Sequence, residues 1–256
     1  MLHGGPGAPG YMAPVARRLA KSWRVLEPLQ RGSGAEPLSV ARHVADLHEL
    51  LEARFTSSRP ALVGHSFGAM LALAYSAAHP GRTLGLALVS CGTFDSVSRA
   101  RMQATLDQRM DGELRRRIET LAEVHADPDE RLRAMVNLTL PLYSYELSST
   151  HLMTVDCDER AHRETWEDML RLQESGTYPA AFAAIREPVL MLHGTVDPHP
   201  GPMIRTSLER HLPQLEYREW RRCGHYPWLE KAVDEEFFSV LNGWLGRRFA
   251  QDQPGA

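Results

Sequence analysis

The sequence predicts an α/β fold: a mostly parallel sheet with helices on both faces and a helical cap inserted between two strands. Two observations carry this prediction. Short apolar runs alternate with segments of helical periodicity near both ends of the chain, and the rhythm stops between 93 and 183, where only helical patterns remain. A chain of 256 residues can hold one such domain with an insertion. The core is therefore expected at 1–92 and 184–256, and the cap at 93–183.

Taken in order, residues 23–26 (WRVL), 61–63 (ALV), 84–90 (LGLALVS) and 188–192 (PVLML) read as short strands. Residues 215–220 (LEYREW) alternate more and suit a sheet edge. Between the first two runs, Val40, Val44, Leu47, Leu51 and Phe55 recur at spacings of three and four, with Ser39 placed to cap their helix. A helix-like segment follows at 69–78, and the last helix, 233–249, would bury Phe237, Val240, Leu241, Trp244 and Leu245. Cap helices are expected at 97–110, 112–126, 129–138 and 159–175, with breaks at Asp127-Pro128, Pro141 and 176–179. Residues 251–256 are expected to fray.

Composition excludes several functions. A net charge of −3 supplies no excess of cations for a nucleic acid. The basic run Arg115-Arg116-Arg117 has Glu113 and Glu119 beside it and reads as a solvated helix face. Cys91, Cys157 and Cys223 are odd in number and widely spaced, which fits neither a disulfide framework nor a zinc motif and points to a reducing cytoplasm. The first residues lack the charged and apolar regions of a signal peptide. The most apolar stretch, 61–78, is interrupted by His65 and by glycine and serine, so no membrane span or membrane partner is expected. No metal or cofactor is implied: Asp156, Asp158, His151 and His162 cluster in the cap without repeating ligand spacing. Self-association into a homo-oligomer stays open.

The chemistry centres on Gly64-His65-Ser66-Phe67-Gly68, at the junction of an apolar run and a helix. A serine presented on so sharp a turn needs glycine two residues to either side, where side chains would meet neighbouring backbone. Acyl transfer by Ser66 also requires a base, an acid to orient it, and donors for the oxyanion. Asp197, in HGTVDP at 193–198, follows the PVLML run and is the candidate acid. His225, in CGHYPW at 223–228, follows LEYREW and is the candidate base. Cys223 reads as a small buried neighbour and not as a second nucleophile. The oxyanion donors are assigned to the N–H groups of Phe67 and of Gly5 in HGGPG at 3–7. The substrate is then a small molecule bearing an acyl group. Tyr143, Tyr145, Trp166, Tyr178 and Phe182 in the cap either line its pocket or form the cap's own core.

These motifs, HGGPG, GHSFG, HGTVDP and GHYPW, resemble the α/β-hydrolase-fold serine hydrolases over nearly the whole chain. The resemblance implies a helical cap between the sixth and seventh strands, matching 93–183, and a Ser66–Asp197–His225 triad. HGGPG with Gln30-Arg31-Gly32-Ser33-Gly34 is similar to the proline iminopeptidase branch, although Leu29 and GHSFG replace that branch's Asp and its Gly-Gly-Ser-Trp-Gly elbow. Relatives with an aspartate nucleophile do not fit, because position 66 is serine. A carboxylic ester is the simplest substrate. A peptide with a free N-terminal proline, a lactone or carbon–carbon substrate, and a non-catalytic binding protein on the same scaffold are the alternatives.

Members of this family begin with a hairpin and a third strand that runs into the HGG loop, whereas this sequence starts two residues before it. The resemblance therefore implies either a longer natural product or another segment in that strand's place.

Overall fold

The computed structural model describes residues 1–56, 58–149 and 156–251. Four parallel strands form one sheet in the order β1-β2-β3-β4: β1 Ala61–His65, β2 Gly85–Val89, β3 Val189–Gly194 and β4 Leu215–Trp220. Helices α1 (Ala13–Leu19), α2 (Val40–Arg54) and α3 (Phe67–Ala78) lie in the first part of the chain. α4 (Ser96–Arg109), α5 (Gly112–Glu119), α6 (Leu121–Val124), α7 (Pro128–Thr139), α8 (Glu159–Glu174) and the short α9 (Thr177–Ala180) fall between β2 and β3. α10 (Gly201–Glu209) and α11 (Asp234–Gln251) complete the set.

Alternation along each strand sorts the side chains to two faces. Leu62, Leu86, Leu88, Val189 and Met191 join α2 and α3 in one apolar cluster. Val63, Ala87, Val89, Leu190 and Leu192 join α1 and α11 in the other. β2 and β3 are buried throughout, as strands covered on both faces must be. β4 pairs with β3 alone and alternates in exposure, which is the expected edge behaviour. Ser39 accepts a hydrogen bond from Arg42 N–H and caps α2, whose buried residues include Val40, Val44, Leu47 and Leu51.

The helical pattern at 112–126 is divided at Thr120 into α5 and α6. Around Arg115–Arg117 the helix is exposed and Arg116 pairs with Glu113, as a solvated face requires. Asp158 caps α8, and His162 Nδ1 donates to the carbonyl of Pro6, so neither is a loose surface charge. Cys91, Cys157 and Cys223 are buried. No helix among the described residues is long and apolar enough to cross a membrane. His151 and the tail 252–256 lie outside the described residues.

One strand expectation fails. Residues 23–26 form no strand; they run beside Met1, whose amine donates to Leu26 O at 2.5 Å. The reason lies on the outer edge of β1. Among the described residues only Leu2 pairs there, through Leu2 N–H to Val63 O (2.8 Å) and His65 N–H to Leu2 O (3.0 Å). Beyond Leu2 an apolar groove, walled by Leu47, Leu51 and Phe55 and by Trp23, Leu245 and Phe249, separates 23–26 from β1. Without a neighbouring ladder an apolar run has no strand to complete.

Candidate active site

The carboxyl ends of β1, β3 and β4 bring the candidate residues to one end of the sheet, where open parallel sheets place their sites. Ser66 follows β1 directly and is the N-cap of α3, with φ 53° and ψ −119°. That conformation is rare for a residue with a side chain and is enforced by its surroundings. A Cβ on Gly64 would lie 2.2 Å from Gly68 O, and one on Gly68 would lie 2.2 Å from Leu2 O. Both glycines are therefore steric requirements of the turn. A Cβ on Gly4 would sit 2.6 Å from Ser66 Cβ, so the HGGPG loop lies against the serine. Among the described residues, neither Gly5 N–H nor Phe67 N–H has a hydrogen-bond acceptor. Phe67 opens α3, so its N–H belongs to the unsatisfied first turn.

Asp197 and His225 meet because the loops after β3 and β4 are knitted together. Thr195 N–H donates to Trp220 O (2.9 Å) and Val196 N–H to Cys223 O (2.8 Å). His225 Nδ1 then lies 2.7 Å from Asp197 Oδ2, with both side chains buried. A carboxylate that accepts at Nδ1 fixes the tautomer with a bare Nε2, which is the arrangement a general base needs. Ser66 Oγ makes no hydrogen bond to His225 in this structure; such contacts commonly tighten only with substrate bound.

Two histidines that sequence reasoning overlooked complete the carboxylate's surroundings. His199 Nδ1 and its backbone N–H both lie 2.9 Å from Asp197 Oδ1, and His193 Nε2 is 3.4 Å from Oδ2. The rings of His199 and His225 stack with centroids 4.6 Å apart. Burial pushes the Asp197 carboxyl up, but His225, His199 and His193 together hold it well below the usual carboxylate range. Burial also lowers His225, against the opposing pull of Asp197, and the neighbouring imidazoles lower it further. His199 stands two residues after Asp197, and nothing in periodicity marks it; only the turn of the loop makes it a partner.

Asp197, His199 and His225 are also the one group among the described residues whose ligand atoms lie within 4.8 Å of each other. Both Asp197 oxygens and the Nδ1 atoms of His199 and His225 are engaged in the hydrogen bonds just described, so a cation held by these four atoms would have to break the His225–Asp197 couple. Of the aromatics between β2 and β3, Tyr143 reaches this centre: its ring centroid is 5.5 Å from that of His225, and its carbonyl accepts His225 N–H at 2.7 Å. Trp166 and Tyr178 pack against the apolar cluster that contains α3, with Tyr178 stacked on the buried Phe182. Neither touches Ser66, Asp197 or His225 among the described contacts. Tyr145 is exposed, with the Arg222 guanidinium over its ring.

The chain matches the alpha/beta hydrolase family over residues 1–237 and belongs to that family. A probable proline iminopeptidase of Leptolyngbya boryana is 38% identical over 96 residues, which is 34% of this chain and 29% of that protein. Among solved structures, a thermophilic esterase from Thermogutta terrifontis superposes with a TM-score of 0.64 at 20% identity, covering 96% of this chain and 88% of its own. A proline iminopeptidase from Mycobacterium smegmatis superposes with a TM-score of 0.62 at 20% identity, covering 98% and 90%. These structural likenesses establish the fold.

Proposed function

We propose that this chain is a serine hydrolase that cleaves a small acyl substrate, most simply a carboxylic ester, through an acyl-enzyme. The observation that carries the reading is the buried His225 Nδ1–Asp197 hydrogen bond of 2.7 Å, set at the same end of the sheet as a strained Ser66. In this reading Ser66 Oγ attacks the acyl carbon while His225 Nε2 takes its proton, and Asp197 stabilises the imidazolium that results. The N–H groups of Gly5 and Phe67 receive the developing oxyanion. His225 returns the proton to the leaving group, and a water then repeats the sequence to release the acid. The helical segment 93–183 acts as a lid, with Tyr143 bordering the acyl site and Trp166 and Tyr178 supporting it.

Wild-type protein should react with an organophosphonate probe at Ser66, and Ser66→Ala should lose both the label and at least about 1,000-fold in kcat. Label retained by Ser66→Ala would remove the reading. A second reading, an aminopeptidase taking N-terminal proline, is favoured by the 96-residue similarity to the Leptolyngbya protein. Comparing acetyl esters with prolyl amides as chromogenic substrates separates the two.

A further inference from the structure

Three hydrogen bonds run in series through the middle of the site. Gly4 N–H donates to Tyr11 Oη at 2.6 Å, Tyr11 Oη lies 2.7 Å from His65 Nδ1, and His65 Nε2 lies 2.8 Å from the carbonyl of His225. Their direction is forced. The His225 carbonyl can only accept, so the His65 proton sits on Nε2. His65 is buried among the rings of Tyr11, His225, Tyr226 and Trp228, and burial holds it neutral, which leaves Nδ1 a bare acceptor. Tyr11 must then donate to Nδ1 and accept from Gly4. With the proton on Nδ1 instead, a bare Nε2 would face the carbonyl oxygen, two lone pairs at 2.8 Å.

The ends of this series matter for the chemistry proposed above, on which the inference rests. One end is the residue before Gly5. The carbonyl of Gly4 accepts from His3 Nδ1 at 2.9 Å, and the planar Gly4–Gly5 peptide then sets where Gly5 N–H points. The other end is the main chain from which the His225 ring projects. His65 itself adjoins Ser66. We propose that Tyr11 and His65 are positioning residues, a one-way hydrogen-bond chain that holds the oxyanion loop and the histidine loop at fixed places on either side of the nucleophile. Hydrogen bonds in one direction reinforce each other in a buried setting, so loss of one member loosens both loops together.

The test combines kinetics with a spectroscopic readout. Tyr11→Phe keeps the ring that stacks on Trp228 and removes only the hydroxyl. With active sites counted by phosphonylation of Ser66, so that unfolded protein is not counted, kcat should fall about 10- to 100-fold while KM stays within about two-fold, because Tyr11 touches no substrate. His65→Gln, which retains a donor towards the His225 carbonyl, should keep more of kcat than His65→Leu. In 15N NMR of the wild-type chain, His65 should be neutral with its proton on Nε2. A His65 carrying its proton on Nδ1, or a Tyr11→Phe enzyme with unchanged kcat, overturns the proposal while leaving the serine hydrolase reading intact. Wild-type protein whose Ser66 is not phosphonylated overturns that reading, and the positioning role falls with it.

Discussion

Asp197 is the residue on which most of the site's electrostatics turns. One carboxylate serves His225 through Oδ2 and His199 through Oδ1, with His193 at 3.4 Å. A carboxylate divided in this way holds His225 less tightly than an undivided one, and the imidazole of His199 opposes the charging of His225. Removing His199 should therefore raise the basicity of His225. In His199→Ala the acid limb of the kcat/KM–pH profile should move to higher pH, so that activity at pH 6 falls relative to pH 8. A limb that stays in place or moves down would show that the stacked ring has no electrostatic part. Ser66, Asp197 and His225 could be nominated from the sequence because their motifs stand in a fixed chain order, and the structure brings Asp197 and His225 within 2.7 Å of each other. His199, His65 and Tyr11 were not, because a residue's role as a neighbour's partner leaves no periodic trace.

At the scale of elements, the segment 140–148 is fastened to the loop that carries His225. Glu230 is fully buried, and its two carboxyl oxygens accept the N–H groups of Gly224, Tyr145 and Glu146 at 2.7–2.8 Å. Ser148 N–H to Leu229 O (2.7 Å) and Lys231 N–H to Glu146 O (3.0 Å) extend the junction. Substituting Glu230→Ala strands three backbone donors and should cost about 3 kcal/mol or more, measured by denaturant unfolding. Near-neutral stability would mean that water replaces the carboxylate. On the far side, α8 docks by its acids: Asp158 accepts from Ser33 N–H, Glu164 from Leu38 N–H and Asp168 from Val40 N–H. Helix boundaries were readable from caps such as Ser39, whereas the break at Thr120 and the docking of α8 depend on partners far away in the chain.

For the molecule as a whole, buried neutral histidines make stability depend on pH. His3, His43, His65 and His225 are each lowered by burial, His3 to about 4. In the unfolded chain they return to about 6.5 and bind protons that the folded state does not, so stability must rise with pH across that window. The contribution is present above about pH 6.5 and is lost as pH falls towards 4; for His3 alone it is about 3 kcal/mol. Thermal unfolding between pH 8 and 5 should show a falling Tm at constant ionic strength. A Tm that holds steady over that range would mean the histidines are solvated.

The sequence by itself determined the parallel α/β architecture, the helical stretch between β2 and β3, and the candidates proposed above for the reacting residues. Apolar periodicity and steric glycines are local properties, and Gly64 and Gly68 are needed wherever that turn forms. Only the tertiary structure decided whether residues 23–26 would pair, which imidazoles share Asp197, and which way protons point between Gly4 and His225. A strand needs a neighbour, and a buried hydrogen bond needs a second group at about 3 Å. Those conditions are met or missed only when distant segments are brought together.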